Sequence, residues 1–206
     1  MYYLHNNDNI IVLHLPGRRR QYNAYIHFFM TFGKYHKWCA VLDCDEFIVL
    51  HKHKNIVDFL QQYLQNGALS INLYIFGSNG HKTYTENLVL ERFTKREKNV
   101  NKHIKYIVCC ENFAGCYNPH FPLLNNGTVI KDVHGNIVSG PFNELDDNSI
   151  CQINHYFGKS YEEYLIKQKR GCADNDYIRS ISEFYDNDLN EIEDLTALNF
   201  YNEGIN

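Results

Sequence analysis

Apolar segments with strand and helix periods alternate through the first 76 residues, and this alternation restricts the folds open to the chain. Strands joined through helices favour an α/β architecture, in which a sheet is covered by helices, and this order implies parallel strands. The length of 206 residues is sufficient for one domain with its own core. The pattern predicts strands over 9–15, 38–42, 47–50 and 69–76, and helices over 22–32, ended by Gly33, and 56–64, capped by Asn55.

The second half has a weaker pattern. A hairpin is expected over 129–138, with His134-Gly135 at its turn. Ser160 and Glu163 have the spacing of a capping box, which predicts that a helix begins there and carries Lys167 and Arg170 on one face. The pattern also predicts strands over 87–93, 104–110 and 150–154, and two short helices within the acidic segment 174–206.

An acidic step, Asp43-Cys44-Asp45-Glu46, directly follows the apolar run 38–42. Side chains alternate along an extended chain, so Asp43 and Asp45 are expected to share one side and Cys44 to point to the other. Neighbouring carboxylates repel each other, and a divalent cation that also binds a diphosphate relieves the repulsion. The step therefore predicts a metal–diphosphate site; the alternative is an acidic turn that only solvates a strand end.

Composition excludes several classes of protein. The net charge of −4 argues against a broad nucleic-acid surface. Seven cysteines without a C-x-x-C pair favour a reducing compartment, and we expect a cytoplasmic location. No run approaches the ~18 apolar residues of a membrane span, and the first residues do not resemble a signal peptide.

Three segments in this order resemble one protein family: WCAVLDCDEFIVL at 38–50, FGSNGH at 76–81 and INHYFGKSYEEYLIKQKRG at 153–171. Together they are similar to the DUF23-like glycosyltransferases of family 92 and the related family-2-like enzymes. The resemblance covers about 135 residues and implies a GT-A-like (Rossmann-like) fold, with a mixed sheet flanked by helices.

The resemblance implies a metal-dependent enzyme that transfers a hexose from a nucleotide sugar, expected to be a UDP-sugar, to a glycan hydroxyl with inversion. Asp43 and Asp45 match the DxD motif, which holds Mn²⁺ or Mg²⁺ against the diphosphate. His155 matches an additional metal ligand, and an imidazole nitrogen favours Mn²⁺. The alternative for His155 is a core histidine beside Tyr156.

Other matched residues have expected roles in binding. Lys159, Lys167 and Arg170 would neutralise the departing diphosphate; alternatively the helix face is solvated, with Glu163–Lys167 as an ion pair. The loop residues Ser78, Gly80 and His81 would contact the donor sugar or the acceptor; alternatively they form a plain β-turn.

The base that activates the acceptor hydroxyl is open at this stage. Asp174 and Glu46 are the leading candidates, with Glu91 and His81 behind them. Two other functions remain alternatives: a catalytically impaired GT-A-fold protein that binds a glycan or a partner chain, and a metal-dependent phosphohydrolase.

We expect a single GT-A-like domain over 1–206. Residues 1–76 would form a partial nucleotide-binding half, 77–175 the acceptor and metal half, and 176–206 a tail or short helices. Family domains normally begin with an additional strand–helix–strand unit, whereas 37 residues precede Trp38. An abbreviated N-terminal part is therefore expected. Either the uracil-binding half is absent, or an oligomer, a second chain or part of the C-terminal half supplies it.

Overall fold

The computed structural model describes residues 10–125 and 127–205, which form a mixed α/β fold. Its helices are α1 (Gln21–Thr31), α2 (Ile56–Tyr63), α3 (Val89–Arg92), α4 (Tyr161–Arg170), α5 (Ile181–Asn187) and α6 (Thr196–Ile205). Its strands are β1 (Trp38–Val41), β2 (Glu46–Leu50), β3 (Ala68–Ile75), β4 (Lys95–Arg96), β5 (Asn101–Cys109), β6 (Phe113–Asn118), β7 (Phe121–Leu124), β8 (Ile130–Lys131), β9 (Cys151–His155) and β10 (Ile192–Glu193).

The main sheet has the order β1-β5-β3-β9-β2, with β8 beside the first residues of β3. β1 and β3 run in the same direction, but β5 lies between them and is antiparallel to both. β9 is parallel to β3 and antiparallel to β2. The predicted mixed sheet is confirmed, whereas the parallel arrangement inferred from the first 76 residues is wrong, because a strand from the second half separates two strands of the first.

Helices and a hairpin cover the two faces of β3, whose residues are almost all buried. On one face, Phe59 of α2 packs with Leu69 and Ile107. On the other, Phe29 of α1 packs against the cluster that contains Tyr106, and its ring stacks on Phe113 of the β6–β7 hairpin. Burial of each such side chain contributes about 1.5–3 kcal/mol, so the central strands are fixed from both sides.

Local sequence signals account well for several elements. Asn55 caps α2, because its side chain accepts a hydrogen bond from Asp58 N. The capping box at α4 is confirmed, since Ser160 accepts from Glu163 N and the Glu163 carboxylate accepts from Ser160 N. The predicted helix over 22–32 corresponds to α1, but Gly33 begins a short 3-10 turn instead of adopting a left-handed cap. The structure also contains other predicted elements: the strands at 104–110 and 150–154, the hairpin turn within 129–138 and the two C-terminal helices.

Two predicted strands are wrong. Within 87–93 the chain forms the helix α3 instead of a strand. Its first turn is capped, because Glu91 Oε2 accepts from Leu88 N. The buried Arg92 turns inward and pairs with Glu163 at 2.7 Å. Over 10–15 no regular structure forms, and Ile11 is 69% exposed, because no strand of the described chain pairs with this segment. Asn9, the first residue of that predicted strand, lies outside the described residues.

Two further observations concern the cysteines and the lengths of the helices. All seven cysteines are free thiols, and Cys44 is the exposed one. Within residues 10–125 and 127–205, no helix has the length and apolar character needed to cross a membrane.

Candidate functional site

A cavity of about 760 Å³ opens where β1 and β9 end, between the start of α1, helix α4 and residues 171–175. It brings together most of the predicted site residues: Asp43, Asp45, His155, Lys159, Lys167, Arg170 and Asp174. Glu46, Ser78, Gly80 and His81 do not line it.

The acidic step forms a turn and not an extended strand end. Glu46 N donates to Asp43 O at 3.1 Å, which closes this turn. Asp43 and Asp45 both line the cavity as predicted, but Cys44 lines it too, so strict alternation of side chains does not hold here. The turn explains this, because side chains alternate between opposite faces only along an extended backbone.

Both carboxylates already have hydrogen-bonding partners. Asp43 Oδ1 accepts from Gln21 Nε2 at 2.9 Å, and Asp43 Oδ2 lies 2.8 Å from Lys105 Nζ. Asp45 Oδ2 accepts from Lys167 Nζ at 3.0 Å. Burial works to raise the pKa of Asp45, but Lys167 and His155 outweigh it and hold this pKa below its usual value. Asp45 is therefore ionised at neutral pH.

Lys167 orients Asp45. Its ammonium group also donates to Phe157 O at 2.8 Å and lies over the Phe157 ring. The alternative of a solvated helix face named Glu163–Lys167 as an example of an ion pair, but Glu163 pairs with Arg92 and Lys167 with Asp45. Lys167 thus lines the cavity as part of an ordered network.

His155 lies at the end of β9, and its Nε2 atom is 3.8 Å from Asp45 Oδ1. Burial lowers the pKa of His155 to about 3, so the ring is neutral at physiological pH. A neutral imidazole has a lone pair that can bind a metal ion. The core-histidine alternative fits less well, because His155 lines the cavity.

Glu46 and Lys105 form a buried pair beneath the acidic turn. Both side chains have no exposed surface, and Lys105 Nζ lies 3.2 Å from Glu46 Oε2. Burial raises the pKa of Glu46 to about 7, although Lys105 lowers it. Since Glu46 does not line the cavity, its position gives no support to the prediction that it is the catalytic base.

Sequence reasoning missed Lys105, Gln21, His120 and Arg179. Lys105 carries the clearest signal, because it stands alone among the apolar residues of 104–108. The other three line the cavity, but no pattern marks them. His120 Nδ1 bonds to Ile104 O at 2.7 Å, and burial lowers its pKa to about 4.

Cations without an ion-pair partner among the described residues line the cavity within α4 and on either side of it in sequence. Among the described residues, Lys159 and Arg170 have no ion-pair partner, and Arg179 donates only to Gly171 O. Lys159 has a φ of 55°, a left-handed conformation that is strained for a residue with a side chain. These three cations, called here the cationic wall, line the cavity together with its carboxylates.

Asp174 is the candidate base that does line the cavity. Its Oδ2 atom accepts from Asn175 Nδ2 at 3.1 Å, and it makes no ion pair with any described residue. The adjacent Ala173 O accepts from Gln21 N, which ties this segment to α1. Asp174 is thus a carboxylate without an ion-pair partner among the described residues, and it also accepts a hydrogen bond from Tyr22.

The loop with Ser78, Gly80 and His81 lies elsewhere. Ser78 donates to Asp188 from its backbone N at 2.6 Å and from its hydroxyl at 3.1 Å. His81 N donates to Ser78 O at 2.9 Å, and the His81 ring contacts Phe93. This geometry agrees with the β-turn alternative, and a role in sugar binding stays a prediction.

Comparison with known proteins adds no family assignment, since no family model and no curated protein matches the chain. Within the described part of the chain, no three His, Cys, Asp or Glu side chains are arranged so that they could hold a metal ion by themselves. An ion at the acidic turn would need ligands from a substrate.

Proposed function

We propose that the protein is a metal-dependent glycosyltransferase that transfers a hexose from a nucleotide sugar, to be tested as a UDP-sugar, to a glycan hydroxyl. The observation that carries this proposal is one cavity whose lining includes both Asp43 and Asp45 and the unpaired cations Lys159 and Arg170. A diphosphate with a bound divalent cation has charges that complement both sets of side chains.

The donor atoms fit a hard or borderline ion. Asp45 Oδ1 accepts no hydrogen bond from the described residues and lies 3.8 Å from His155 Nε2. At this separation both atoms can bind one ion with bonds of about 2 Å. Magnesium-like ions commonly use one or two protein ligands together with substrate phosphates, which agrees with the small number of protein ligands here.

The cationic wall supports departure of the diphosphate. When bound, Mn²⁺ or Mg²⁺ would neutralise negative charge on the leaving diphosphate. Arg170 and Lys159 are free to donate to its oxygens, and Arg179 has donors left beyond its bond to Gly171 O. Preorganised cations of this kind stabilise charge that develops in a transition state.

Asp174 supplies the base in this proposal. The acceptor oxygen forms a bond to the anomeric carbon, the bond from that carbon to the phosphate oxygen breaks, and the diphosphate leaves with the electron pair. Asp174 accepts the proton of the acceptor hydroxyl, since among the candidate bases it is the one that lines the cavity and it makes no ion pair with a described residue. Attack opposite the leaving group would invert the anomeric configuration.

Calorimetric titration of UDP in the presence of Mn²⁺ tests the proposal, followed by measurement of UDP-sugar hydrolysis. Asp45→Asn should remove Mn²⁺-dependent hydrolysis, whereas Asp186→Asn, which changes an exposed aspartate, should have no effect. Full Mn²⁺-dependent activity in the Asp45→Asn variant would contradict the proposal.

One observation favours a second candidate, a GT-A-like protein that binds a glycan or partner without catalysis. Three of the four carboxylate oxygens of Asp43 and Asp45 already accept hydrogen bonds, from Gln21, Lys105 and Lys167. If UDP with Mn²⁺ does not bind at millimolar concentration, this second candidate replaces the first.

A further inference from the structure

Glu46 and His155 are direct partners in the antiparallel ladder between β2 and β9. Directly opposed residues in such a ladder place their side chains on the same face of the sheet. Accordingly, His155 Nδ1 lies 3.9 Å from Glu46 Oε1, while the other ring nitrogen, Nε2, lies 3.8 Å from Asp45 Oδ1. The imidazole therefore stands between a buried carboxylate and a carboxylate of the cavity.

The two oxygens of Glu46 have different surroundings. Oε2 accepts from Asp43 N at 2.9 Å and lies 3.2 Å from Lys105 Nζ. Oε1 is buried and has no hydrogen-bond partner among the described residues. An unsatisfied buried acceptor is costly, so a donor that can approach it gains free energy by doing so. His155 Nδ1 needs to move by only about 1 Å to reach hydrogen-bond distance.

We infer that Glu46 is a positioning residue, which accepts a hydrogen bond from Nδ1–H of His155 and so leaves the Nε2 lone pair directed toward Asp45. Histidines that bind metals commonly donate their second ring N–H to a carboxylate or carbonyl, which fixes the tautomer and the ring orientation. The part of this inference that concerns a metal rests on the proposed function. The part that concerns the tautomer of His155 does not depend on the proposed function.

The substitution Glu46→Gln gives a specific expectation. Lys105 and the backbone N of Asp43 are both donors, so they select the carbonyl oxygen of the new side chain. Its NH₂ group is then directed at His155 Nδ1. A donor opposite Nδ1 requires that this nitrogen carry no proton, so the proton moves to Nε2 and the lone pair is lost.

Nitrogen-15 NMR of the imidazole in the metal-free protein at pH 8 tests the tautomer. The expected result is Nδ1–H for the wild type and Nε2–H for Glu46→Gln. The matched control Glu86→Gln, which changes an exposed glutamate, should leave the wild-type spectrum unchanged. A wild-type ring protonated at Nε2 would overturn the inference, and this measurement remains decisive if the variant does not fold.

Mn²⁺ affinity in the presence of UDP, measured by electron paramagnetic resonance, tests the consequence for binding. Glu46→Gln should weaken Mn²⁺ binding by about 10–100-fold. In a His155→Ala background the same substitution should cause no further loss, whereas an equal loss in both backgrounds would overturn the inference. A wild type that binds no Mn²⁺ in the presence of UDP but has the Nδ1–H tautomer would contradict the proposed function and support the positioning role of Glu46.

Discussion

Lys105 Nζ lies 2.8 Å from Asp43 Oδ2, so a fully buried ammonium group holds a carboxylate at the edge of the cavity. Lys105 comes from the middle of β5, whereas Asp43 follows β1. The two strands are antiparallel neighbours, and this pairing brings Lys105 beneath the acidic turn. The charge balance of the site therefore depends on contacts between residues distant in sequence.

Removal of the Lys105 charge should destabilise the fold strongly. Lys105→Met leaves Glu46 buried without its cation, and loss of one partner of a buried pair costs about 3–5 kcal/mol. Urea unfolding measures this change. Lys102→Met on the same strand removes an exposed pair with Glu144 and should change stability by no more than about 1 kcal/mol. Equal effects of the two substitutions would show that the buried pair contributes little.

Arg170 should contribute to binding of the donor diphosphate. Hydrogen bonds to charged groups contribute about 1.5–3 kcal/mol, so Arg170→Ala should weaken UDP binding by about 10–100-fold. Calorimetry at two salt concentrations should also show a smaller salt dependence for this variant. Lys169→Ala removes an adjacent exposed charge that does not line the cavity, and it should bind UDP like the wild type.

Protonation of His120 should reduce stability at acidic pH. Burial lowers its pKa from 6.5 to about 4, so between these pH values the unfolded chain binds a proton that the folded chain does not. The free energy of unfolding therefore falls as pH decreases from 6.5 to 4, and this contribution is complete above 6.5.

His120→Asn removes the titrating group and retains a donor for Ile104 O. Urea unfolding at several pH values should show a shallower loss of stability for this variant than for the wild type. Parallel pH curves for the two proteins would contradict the prediction.

Asp188 should support the 77–81 loop without affecting the cavity. Asp188→Ala removes both acceptors of Ser78 and should cost about 1–3 kcal/mol. UDP affinity should stay unchanged, because the loop does not line the cavity. Asp186→Ala serves as the control with an exposed aspartate. A large loss of UDP affinity in Asp188→Ala alone would instead favour a ligand-binding role for Ser78, Gly80 and His81.

Features that depend on neighbouring residues could be predicted from the sequence. Asn55 and Ser160 cap their helices through residues three positions away, and such bonds form wherever the local backbone permits. The acidic pair and the basic residues of α4 were found in the same way, because their spacing is visible along the chain.

Tertiary structure alone decided which of these residues meet. The pairing of β1 with β5 brought Lys105 to Asp43, and the ladder between β2 and β9 placed His155 opposite Glu46. The apolar run at 10–15 formed no strand, because a strand needs a partner edge that local sequence cannot provide. Arg92 likewise turned inward to a glutamate 71 positions away, where a local pattern had predicted a strand.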